Sequence, residues 1–275
     1  MSLLAVMLLG IGCTAAPDGA EPQLPAGARP PEPAPHEGLD AFADAYRARL
    51  LARGDPACTW QHDRATARCP DGRRHDVPAL WGIVSAATDP PSTARALLAM
   101  IDSPPPVADF DAVAPFIHLR PVKTDEATAT PDGVATIPAT PDGVLHWVVE
   151  LGLPGGIVPV GREVRAGWGV PDEVVLDAAG AHVDRVDPRP FWPLGPGIAR
   201  ARVGDGHDAA RLLSAALHRL DFEPRRAAVV VDDALVVADA DHEDALRALV
   251  AGWGGPDPVL LRRDPPAEPW RAWSP

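Results

Sequence analysis

A chain of 275 residues with a net charge of −13 and a pI near 5 lacks the basic excess that neutralises phosphate, which argues against nucleic-acid binding. A single Lys and no Asn stand beside many Arg, a codon bias that points to a high-GC bacterial genome and lowers the functional meaning of Arg, Ala, Pro and Gly. Beyond the N-terminal segments, roughly 240 residues remain, enough for one large core or two smaller ones.

Residues 1–13, Met-Ser-Leu-Leu-Ala-Val-Met-Leu-Leu-Gly-Ile-Gly-Cys, are a short apolar run ending in small residues and a cysteine. Leu3 to Ile11 is too short to cross a bilayer, which takes about 20 apolar residues, but suits the apolar region of a signal peptide. The segment resembles a bacterial lipoprotein signal, in which the cysteine is acylated and becomes the mature N-terminus. That resemblance implies lipidation of Cys13 and a lipid-anchored protein of the cell envelope, facing the periplasm or the exterior. Gly10 stands where the family usually has leucine, and no basic residue precedes the run. The alternatives are a secreted soluble protein cleaved after Ala16 and a cytosolic protein with a chance apolar start. Residues 14–37 hold seven prolines. No packed core is available to such a segment, so it reads as an extended tether.

The first α+β region spans 38–151. Leu39, Phe42, Tyr46 and Leu50 form one helical stripe, closed by Gly54 and Pro56. With Cys13 acylated, Cys58 and Cys69 are left together in an oxidising compartment, where they should pair as a disulfide. The alternatives are free thiols or a zinc set of Cys58, His62, Cys69 and His75, since zinc takes two thiolates and two imidazoles. Val77 to Ser85 reads as a buried strand. Ser92 caps a helix over 93–101, and 116–122 alternates as a strand. Thr130-Pro-Asp-Gly and Thr140-Pro-Asp-Gly suit type I turns and predict a meander ending in a strand over 144–151.

Glycine and proline concentrate in 152–171, the expected domain boundary. Val158 and Pro159 follow the glycines, so no phosphate loop is formed. In the second region, 172–263, a hairpin is expected around Ala179-Gly180 and a loop over 187–206. An amphipathic helix follows over 208–220, then strands at 227–231 and 235–237. Asp241 caps another helix, and a strand over 259–262 follows. Residues 264–275 are a tail whose Trp270 and Trp273 either dock back on the fold or meet a partner. The order β-β-α-β-(β)-α-β predicts an α+β fold with helices on one face of a mixed sheet. The stretch Val229 to Val250, in which a strand runs into an acidic turn and then a helix, resembles the periplasmic domain of ExbD/TolR proteins. The connection is longer here and the family's membrane helix is absent, so the resemblance implies only a periplasmic protein-binding or cell-wall-binding module. The β-α-β rhythm of 83–122 echoes that of 229–262, consistent with two similar subdomains.

Chemistry is sparsely signalled. Six serines occur and none lies in G-x-S-x-G. His62-Asp63 and His75-Asp76 pair imidazole with carboxylate, the combination general-base chemistry uses, although adjacent strand residues face opposite ways. Asp239 to Asp244 is acidic but lacks the Gly and Glu of a calcium loop, so those carboxylates read as helix caps. The reading is a lipid-anchored envelope protein acting as a non-catalytic binding module, without a cofactor, whose contact surfaces are the disulfide loop and the Trp tail. The competing readings are an exported hydrolase using His62 or His75 and a metal-binding envelope protein.

Overall fold

The computed structural model describes residues 37–54, 58–60, 66–70, 73–129, 133–187, 189–201, 207–220, 222, 225–230, 234–252, 258–264 and 268–273. Cys13, residues 14–36 of the tether, His62, Asp63 and Trp253 lie outside them. The described residues belong to one compact unit.

Helix α1 (Leu39–Arg53) buries Phe42, Tyr46 and Leu50 as their spacing requires, and Gly54 ends it in the left-handed conformation. Strands β1 (Thr59–Trp60) and β2 (Thr66–Arg68) pair antiparallel, Thr59 opposite Arg68. Cys58 and Cys69 flank that pair and are joined as a disulfide. Strand β3 (Arg74–Asp76) follows. The run expected to be a strand after it is helix α2 (Val77–Ala86). Asp76 decides the matter: its Oδ1 accepts from Ala79 N at 3.0 Å, and Pro78 fits the first turn, where no amide donor is needed. Helix α3 (Pro90–Ala99) starts three residues before the expected position because Asp89, not Ser92, is the cap; its Oδ1 accepts from Ser92 N. A short α4 (Phe110–Val113) runs through a 3₁₀ turn into β4 (Ile117–Lys123). The first sheet continues through α5 (Thr124–Ala129), β5 (Thr136–Pro138), β6 (Leu145–Leu153) and β7 (Gly156–Pro159).

The expected boundary at 152–171 is built into this sheet. Its residues supply the end of β6, all of β7 and helix α6 (Arg162–Gly167), and Trp168 is buried. The expected hairpin at 174–186 is one helix, α7 (Asp172–Val186). Gly180 serves close packing there: a Cβ would lie 3.0 Å from the Leu213 carbonyl oxygen. The expected loop contains β8 (Phe191–Gly195) and β9 (Ile198–Ala201). The expected 208–220 helix is two 3₁₀ segments, Asp208–Leu213 and Ala215–Arg219, broken at Ser214. Ser214 is extended there, and its hydroxyl accepts from Ala216 N. Strands β10 (Arg225–Val230) and β11 (Ala234–Asp239), helix α8 (Glu243–Ala251) and strand β12 (Val259–Arg263) complete the second half in nearly the expected places. Asp239 caps the approach to α8 by accepting from His242 N. A last strand, β13 (Arg271–Ala272), pairs with β12.

The α+β class holds, but among the described residues every strand pairing is antiparallel, so the sheets are not mixed. One sheet runs β1-β2-β3-β7-β6-β4, with β5 on β6, and the other runs β13-β12-β10-β11-β9-β8. Phe42, Leu80, Leu119, Trp147 and Leu151 from the first half share one core with Leu217, Leu235, Val237 and Leu261 from the second. The far side of the second sheet, Val236 and Ala238, is covered by Leu246 and Val250 of α8. Among the described residues no helix is long and apolar enough to cross a membrane.

Candidate functional site

Strand alternation sends His75 and Asp76 to opposite faces of the first sheet. His75 is buried on the helix side, where its Nδ1 and Tyr46 Oη are 2.9 Å apart and Trp60 stacks on its ring. Of the expected zinc set, the two sulfurs are bonded to each other and so offer no thiolate to a metal, and His62 lies outside the described residues.

The other face carries charge. Register places His118 of β4 opposite Glu150 of β6, Gly152 two residues further along the same face, and Arg74 opposite Ile157. Glu150 is buried and receives Arg74 Nη2 at 2.5 Å and Arg120 Nε at 3.0 Å, so its charge is compensated where bulk water cannot reach it. Beyond these two ion pairs, the second half of the chain closes over the sheet. The 3₁₀ segment 208–213 packs against β4, α7, β9 and β11. His207 precedes it, and Arg211, fully buried, donates to Asp208 at 3.1 Å.

Four side chains meet under this cover. Asp76 reaches His207, with Oδ2 and Nε2 3.0 Å apart. The His118 ring lies with its centroid 4.1 Å from that of His207 and 4.2 Å from that of His182 on α7. One donor atom from each of Asp76, His118 and His207 falls within 4.8 Å of the other two. His182 Nδ1 lies 2.8 Å from the Pro115 carbonyl oxygen; donation to it leaves the Nε2 lone pair as that ring's coordinating or accepting position.

His118 is the unusual member. It is 2 % exposed, and neither ring nitrogen has a hydrogen-bond partner. A buried polar group left so costs about 1–3 kcal/mol. Burial, then the neighbouring His207 and His182 rings, holds its pKa well below the usual imidazole range, so the ring is neutral. Room for it exists because residue 152 is glycine: a Cβ there would lie 2.1 Å from His118 Nε2.

Of the residues singled out from sequence, the structure brings Cys58 and Cys69 together and places His75 apart from the centre. Asp76 entered the sequence reading only as a neighbour of His75. His118, His182 and His207 were missed, since 131 positions of chain separate Asp76 from His207 and no local spacing links them. The one signal was His118-Leu119-Arg120 within an apolar strand, which puts imidazole and guanidinium on one face.

The Trp tail docks on the body, which removes it as a free contact surface. Trp270 is buried, Trp273 N donates to Leu260 O, and the guanidinium of Arg247 lies 4.2 Å from the Trp273 ring. Asp142 of the second Thr-Pro-Asp-Gly turn accepts from Ala272 N at 2.8 Å. The large apolar side chains left outside include Trp192 and Leu194 on β8, 58 % and 51 % exposed. No family model, no curated protein and no solved structure matches this chain.

Proposed function

We propose that this chain is an exported cell-envelope lipoprotein, fatty-acylated at Cys13, whose folded body is a non-catalytic protein- or cell-wall-binding module held off the membrane by the 14–37 tether. The observation that carries the reading is β8. It ends the strand order of the second sheet and turns Trp192 and Leu194 outward. A sheet edge with large apolar side chains is a template for strand addition or for an apolar partner. The Cys58–Cys69 crosslink supports the compartment, since disulfides persist outside the reducing cytosol. The soluble secreted form is the alternative for localisation.

The experiment labels cells with palmitate and fractionates them. Chain carrying label in the membrane fraction, released and unlabelled in Cys13→Ser, supports the anchor; unlabelled chain in the medium or the cytosol overturns it. In the same fractions a photo-crosslinker placed at position 192 should trap an envelope protein or peptidoglycan fragment, and Leu194→Ser should abolish the adduct. No adduct would overturn the binding role. One observation favours a second reading, an exported hydrolase: imidazoles and a carboxylate from both halves of the chain converge. That chemistry moves from His62 and His75 to Asp76, His118 and His207, and ester hydrolysis lost in His207→Gln would support it.

A further inference from the structure

We propose that Asp76, His118 and His207 form a binding site for one zinc-class divalent transition-metal ion, with the neighbouring His182 ring as the candidate fourth donor. Three arguments converge on it. The donor chemistry is right: neutral imidazole and carboxylate are ligands of zinc, cobalt, nickel and copper, whereas calcium and magnesium favour oxygen-rich shells. The geometry is close: donors at about 2.0–2.1 Å around a tetrahedral ion stand roughly 3.3 Å from one another, and the three atoms here already lie within 4.8 Å, with the Asp76–His207 pair at 3.0 Å.

The third argument is His118 itself. A ring 2 % exposed, both of whose nitrogens lack a hydrogen-bond partner, is aimed at His207 and Asp76. A metal ion supplies the missing partner. Supporting contacts hold the other ligands as metal sites require. Asp76 is fixed through its second oxygen by the cap on Ala79 N, and the Pro115 carbonyl oxygen orients His182. Ligands arise from β3, β4 and the segment ahead of 208–213, so an ion here would tie the first sheet to the element that bridges to the second. Its burial suits a closed, structural centre rather than one with an open position for substrate.

The test uses the full-length chain purified without a polyhistidine tag, stripped with chelator and titrated with cobalt and then zinc. One cobalt per chain should bind with the visible absorption of a tetrahedral site and be displaced by one zinc. His118→Gln and His207→Gln should each weaken zinc binding about tenfold or more and remove the cobalt spectrum. No stoichiometric uptake by the parent chain, or variants that bind as the parent does, would overturn the site and leave a hydrogen-bonded imidazole–carboxylate network. Should His118→Gln fail to fold, Asp76→Asn, which retains an oxygen for the cap, decides together with His207→Gln. Palmitate labelling and position-192 crosslinking are read separately, so failure here is distinguishable from failure of the envelope reading.

Discussion

Replacing Gly152 with Ala tests whether the His118 ring is held where the structure puts it. The new methyl would lie 2.1 Å from His118 Nε2, 2.6 Å from Cδ2 and 3.0 Å from Cε1. The nearest contact is about 1.4 Å short of ordinary van der Waals separation. The ring cannot simply swing aside, because His182 and His207 stand 4.2 and 4.1 Å away and the site is buried. Overpacking of this kind costs about 1–3 kcal/mol. Removing a glycine from the unfolded chain recovers about 0.4–1 kcal/mol, leaving a net loss of about 1–2 kcal/mol. Urea denaturation with chelator present measures it, and a double-mutant cycle with His118→Ala isolates the cause. Without the imidazole the methyl has nothing to strike, so Gly152→Ala should cost little in that background. Equal costs in both backgrounds, or a stabilised single variant, would refute the placement of the ring.

Breaking the crosslink with Cys58→Ser and Cys69→Ser together opens a loop of sequence separation 11 and should cost roughly 2–3 kcal/mol by the chain-entropy relation; a urea midpoint unmoved under non-reducing conditions would contradict that. For pH, the folded-state pKa of His118 is lowered, whereas the unfolded chain titrates near 6.5. Below that value the unfolded state binds a proton that the folded state refuses, so the His118 contribution is complete above about pH 6.5 and is lost as pH falls, with a slope of up to about 1.4 kcal/mol per unit. In metal-free protein, stability measured from pH 7.5 to 5 should fall less steeply in His118→Gln than in the parent; parallel profiles would exclude a neutral buried ring.

Local chemistry was legible wherever a residue acts on its own neighbours. The stripe of α1, its glycine stop, each element of the β10–β11–α8–β12 run and the proximity of Cys58 and Cys69 are set by residues close to them in sequence. Misreadings cluster where distant packing overrides a local pattern. Val77 to Ser85 is apolar on every side, which strand and buried helix share, and a single carboxylate at Asp76 settled the choice. Ala179-Gly180 reads as a turn, yet the glycine is there so that α7 can approach Leu213. The amphipathic pattern of 208–220 is real, but Ser214 turns aside and the hydroxyl bonds Asp184 across to α7, splitting the segment into two short 3₁₀ pieces.

By itself, then, the order of residues determined an acidic α+β chain, its first helix, its crosslinking pair and the β-β-α-β run near its end, because those depend on interactions a few residues long. Tertiary structure alone decided that both halves share one core and that Asp76, His118, His182 and His207 meet beneath it. The physical reason is range: groups 25 to 131 residues apart leave no trace in local periodicity, and only the packing of α7 and the 207–213 segment against the first sheet brings them within a few ångströms.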